Sequence, residues 1–145
     1  MMTLTEVPML EVTATYEGSL RCRASHSPSK SFIVTDAPLD NHGKGESFSP
    51  TDLVAAALPT CIMTIMGIVA KRHDICLEGM CARTQKEMSV DGPRRIASLR
   101  TYITMPIAKS HPHREALEQA AHTCPVHRSL HPDIHAPIEF LYAKA

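Results

Sequence analysis

The order of elements along the chain predicts an α+β fold of antiparallel strands around helices. Three observations carry that expectation: strand-like alternation in the first third and again past the middle, one long uncharged helix between them, and a second helical region before a closing strand. The order is βββ–α–ββ–α–β, read as a single domain over residues 1–145.

Leu10, Val12, Ala14 and Tyr16 alternate with the period of a strand over residues 8–16. Glu17-Gly18 reads as a turn and SLRCRASH as the returning strand, so the chain opens on a hairpin. SFIVTD, 31–36, is a β-branched third strand, and APLDNHGKGESF after it is a loop of turn formers. Ser49 can cap the central helix, Pro50 fits its first position, and Asp52 complements the dipole in its first turn. That helix is expected to reach Arg72-His73. Pro59 cannot donate to the carbonyl of Ala55, which predicts a kink or local widening just before Cys61.

Stretches 77–90 and 94–105 flank the turn VDGPRR as a hairpin. Ala97, Leu99, Thr101, Ile103 and Met105 share one face; Ser98, Arg100 and Tyr102 share the other. Ser110 opens a second helix, HPHREALEQAAHT. CPVHRSL adds a helical turn stopped at His131-Pro132, and APIEFLYAK is the last strand.

Residues 53–70 carry no charge, which meets the length criterion for a membrane span. The segment is nevertheless rich in Ala and Thr, holds Pro59, and stands alone between polar stretches, so a fully buried core helix explains it better. One small sheet covers one face of such a helix. An identical partner chain is the economical second layer, and a homodimer is expected.

Fifteen basic residues balance fifteen acidic ones, so no net field recruits nucleic acid or an anionic membrane. Three Phe, three Tyr and no Trp offer little to stack bases on. The opening MMTLTEVPMLEV lacks a basic region followed by a long apolar run, so no secretory signal is expected and a cytoplasmic location is the default. There thiols stay reduced, and five cysteines at irregular spacing do not resemble a disulfide framework.

Two cysteines stand out. Cys124, in Thr123-Cys124-Pro125, sits where a helical segment begins, so its thiolate would feel the positive end of that helix. Cys61 lies in mid-helix and would need an arginine supplied by the tertiary structure. Free cysteine is among the most buried residue types, and spacing alone favours two structural cysteines here. Cys22, Cys76 and Cys81 read as strand or core residues. A metal reading stays open at Cys124, His127 and His131, spaced as one helical face if the segment remains helical. A pocket that binds a hydrophobic ligand, with inert cysteines, is a third reading.

DAPLDNHGKGESFSPTDLVAAALPTC, followed much later by AAHTCPVHRSL, resembles the OsmC/Ohr family of osmotically inducible and organic hydroperoxide resistance proteins, in its OsmC-like branch. The resemblance runs from about Tyr16 to the final strand. It implies an intertwined homodimer with sheets wrapped around central helices, and thiol-dependent reduction of organic hydroperoxides without a cofactor. By motif, Cys61 matches the peroxide-attacking cysteine and Cys124 the resolving one, with a small or protein-bound dithiol as reductant. Arg21, or less readily Arg23, matches the arginine that serves the first cysteine. The family's supporting glutamate, ten residues before that cysteine, is Thr51 here, and threonine cannot form a bidentate pair with arginine; Asp52 or Glu46 would have to take its place.

Overall fold

The computed structural model describes residues 9–143. Pro8, at the start of the first expected strand, and Lys144, at the end of the last, lie outside the described residues. The chain divides into two compact units, one up to Pro50 and one from Thr51.

The first unit is an antiparallel sheet in the order β1-β2-β3: β1 Val12–Gly18, β2 Arg21–His26 and β3 Phe32–Asp36. The expected hairpin forms, with its turn two residues later than Glu17-Gly18. Ser19 and Leu20 take the left-handed conformation, at φ 54° and 62°, and the Tyr16 hydroxyl accepts from the Leu20 amide at 3.3 Å. Left-handed pairs suit two-residue hairpin turns because their twist matches that of the strands. After β3 the chain folds back on itself: the Asp36 amide donates to the Phe48 carbonyl (3.0 Å) and the Gly45 amide to the Ala37 carbonyl (3.1 Å). Only glycine fits at 43, where a Cβ would stand 1.7 Å from the Ala37 carbonyl oxygen. This return lays Glu46 beside Asp36.

The second unit contains almost all of α1 (Pro50–Arg72), the hairpin β4 (Cys81–Met88) and β5 (Ile96–Met105), then α2 (Arg114–Ala121), α3 (Pro125–Ser129) and β6 (Ile138–Tyr142). The helix runs unbroken through Pro59, and the next residue, Thr60, turns its hydroxyl back onto the carbonyls of Ala56 and Ala57, both at 3.0 Å. α2 starts at Arg114 rather than Ser110. Pro112 keeps His111 out of helical geometry, and residues 108–114 form turns instead.

In β5 the face assignment holds for Leu99, Thr101, Ile103 and Met105, all buried; Ser98, placed on the other face, is buried too, beside the 135–137 segment that pairs with this strand. β6 joins β5 in parallel, so the second sheet is mixed. A parallel neighbour requires a crossover, which α2 and α3 supply.

Within one chain α1 is not wholly buried. Leu58, Ile62, Met66 and Ala70 form a single stripe at four-residue spacing, sealed against Leu99, Ile103, Met105, Leu117, Ala121 and Cys124. The rest of the helix, Ile68 included, is half-buried or exposed.

Candidate active site

Arg21 is the first residue of β2, and the β2–β3 register sets it directly opposite Asp36. Its Nη2 donates to Asp36 Oδ2 at 3.1 Å and to Glu46 Oε2 at 2.8 Å. The backbone amide of Glu46 also donates to Asp36 Oδ2, at 3.0 Å. The three members differ in exposure: 0% for the Asp36 side chain, 36% for Arg21 and 62% for Glu46. The Glu46 amide, and then the guanidinium, hold the Asp36 carboxyl below the usual range against the opposing effect of burial. Both carboxylates, Glu46 foremost, stabilise the charge on Arg21.

Of the substitutes expected for the missing glutamate, Glu46 meets Arg21. Asp52 and Thr51 meet a different cation: Lys86 Nζ lies 2.7 Å from Asp52 Oδ1 and donates to Thr51 Oγ1 at 2.8 Å. Neither Asp36 nor Lys86 was marked by the sequence as a site residue. A strand register and a returning loop create these contacts, and no motif spells out either one.

In the second unit the two singled-out cysteines come together. Cys61 is half-buried on α1 and packs against the core, while Cys124 is fully buried within it. The thiols lie within hydrogen-bonding reach of each other, and both are free. Cys124 caps α3 as its sequence suggests: Pro125 takes the first helical turn, and Cys124 Sγ accepts from the His127 amide at 3.4 Å. The expected lowering of this thiol does not follow. Burial first, and then the neighbouring Cys61, push the Cys124 thiol up, outweighing the amides of His127 and Val126.

The metal reading loses its geometric premise. α3 ends at Ser129, and Leu130 is extended, so His131 does not continue a helical face with Cys124 and His127. The His127 ring is engaged through Nε2 with the Ala136 carbonyl at 2.9 Å. Among the described residues no group of three His, Cys, Asp or Glu side chains is arranged to hold a metal.

A family model for OsmC-like proteins matches residues 43–139, well over half of the chain. The chain belongs to the OsmC-like family. A crystallised protein of Psychrobacter arcticus, ascribed to osmotic stress induction and the detoxification response, is 40% identical over 95% of this chain and 100% of its own, with a TM-score of 0.85. Two organic hydroperoxide resistance proteins share the fold at lower identity. OsmC of Legionella pneumophila is 16% identical over 94% of this chain and 98% of its own (TM-score 0.75). OhrB of Bacillus subtilis is 20% identical over 92% and 98% (TM-score 0.67). No curated protein matches. The matched OsmC-like region contains both Cys61 and Cys124, and Arg21 lies before it.

Proposed function

We propose that this OsmC-like protein is a thiol-dependent peroxidase that reduces organic hydroperoxides. The observation that carries the reading is the meeting of Cys61 and Cys124, some sixty residues apart in sequence, as two free thiols in hydrogen-bonding reach in an apolar interior. Their exposure orders their roles. A peroxide from solvent reaches half-buried Cys61 first, and Cys124, kept protonated by burial, waits behind it.

The Cys61 thiolate attacks the distal peroxide oxygen; the O–O bond breaks, and the departing alkoxide takes a proton to leave as an alcohol. Arg21 supplies positive charge to the thiolate and to the developing oxyanion. Cys61 sulfenic acid then condenses with the Cys124 thiol, forming a disulfide and releasing water. A dithiol, small or protein-bound, returns both cysteines to thiols by exchange and is itself oxidised to a disulfide. The apolar lining from α1, Ile62 and Met66 foremost, favours a hydrophobic peroxide over hydrogen peroxide. The half-buried flank of α1 and the exposed Val12, Phe32 and Ile33 fit a homodimer as the working form.

Reduced protein given one equivalent of cumene hydroperoxide tests this. Two thiols disappear together and peptide mapping finds Cys61 linked to Cys124, while Cys61→Ser consumes no peroxide. Survival of every thiol would reject the peroxidase and turn attention to ligand binding.

A further inference from the structure

Resting on the reading that Cys61 works with Arg21, the inner clamp of Arg21 carries a further step. A guanidinium has five N–H donors, two of them on each terminal nitrogen. Both carboxylates are met by the same nitrogen, Nη2, so its two hydrogens serve Asp36 and Glu46. Nη1 and Nε are left to neither, and together they form the flat edge of the fork that recognises paired oxygens.

Asp36 is the fixed member of the clamp. It is fully buried, placed opposite Arg21 by strand register, and its Oδ2 is held by the Glu46 amide as well. Its second oxygen, Oδ1, is buried without a hydrogen-bond partner. A buried carboxylate left half-satisfied is costly to the fold and calls for an explanation. Glu46, open to water, is the adjustable arm. We propose that Asp36 is a positioning residue that, with Glu46 as second arm, fixes Arg21 by one nitrogen and presents the opposite edge of its guanidinium to the reacting sulfur and peroxide. The charged groups that face Asp36 are Arg21 and, more weakly, Lys44.

The test uses the full chain with cumene hydroperoxide, and follows iodoacetamide alkylation of Cys61 against pH with the modified peptide identified by mass. Asp36→Asn keeps the shape and removes the charge. The expected result is a fall in kcat/KM on the order of ten- to a hundredfold, mainly in kcat, with the Cys61 alkylation midpoint moved up by about one pH unit. Glu46→Gln gives a smaller change in the same direction, and Glu46→Asp recovers most of it. A folded Asp36→Asn protein with unchanged kcat/KM, or one that loses thermal stability while the alkylation profile stays put, overturns the proposal. Should Asp36→Asn fail to fold, Glu46→Gln decides, because Glu46 is exposed; an unchanged profile there overturns it too. Cys61→Ser separates the layers. If that variant keeps activity, the peroxidase reading falls and takes this one with it; if it is dead while Asp36→Asn is untouched, only the positioning role falls.

Discussion

Arg21 keeps its charge by sharing one nitrogen between a buried and an open carboxylate, whereas Cys124 is held neutral by burial and by the thiol beside it. Both corners contain a fully buried ionisable side chain, Asp36 in one and Cys124 in the other. Burial raises the pKa of each, yet the net shifts are opposite. A carboxylate that accepts from an amide and a guanidinium is compensated as an anion, while two helix amides do not offset the loss of water around a sulfur. Burial therefore does not by itself set the charge state; the donors that accompany it do.

The most severe way to break this pairing is to remove a sulfur. Cys61→Ser should lower peroxide reduction by roughly a thousandfold or more, since a hydroxyl at its ordinary pKa is a poor nucleophile. Cys124→Ser should allow one turnover and then stall, with a sulfenic acid at Cys61 that dimedone labels. Next in size, Leu58→Ala opens the core that surrounds Cys124 and should cost about 2–5 kcal/mol in chemical denaturation. If dryness is what holds the Cys124 thiol up, its alkylation should then begin at lower pH.

Arg21→Met tests the other corner, and a loss of about a hundredfold in kcat/KM is expected in steady-state assays. The same substitution strands buried Asp36, so a lower melting temperature should accompany it.

Acid and base sharpen the contrast further. Asp36 is lowered in the folded state, so its contribution to stability is complete above about pH 4 and is lost as pH falls through the lowered value. Cys124 is raised, so its contribution is complete below about pH 8.5 and is lost as pH climbs through the raised value. Denaturation curves should show both limbs, with Asp36→Asn flattening the first and Cys124→Ser the second. Smallest of all, Lys86→Met removes a partly exposed pair with Asp52 and should change stability by about 1 kcal/mol or less.

Features written in local chemistry were legible beforehand. Ser49-Pro50 marked the start of α1 and Thr123-Cys124-Pro125 the start of α3, because caps and first-turn prolines act on their immediate neighbours. The β4–β5 hairpin followed from alternation around a turn. What stayed hidden depended on distant partners. Asp36 looked like the end of a strand until register set it against Arg21 and the Gly43 return brought Glu46 to it. The direction of β6 was hidden as well, since a short strand reads the same whether its neighbour runs with it or against it. The upward shift at Cys124 escaped because a cap is visible in sequence and the dryness around it is not.

The cap on α3 has one more consequence. The sulfur that receives the His127 amide is the sulfur that the resolving step would draw into a disulfide. A bridged sulfur is a poorer acceptor than a thiol, and its position is dictated by the new bond. The His127 amide should therefore trade its proton for deuterium faster in the oxidised protein than in the reduced one, making this single backbone site an isotopic gauge of the redox cycle.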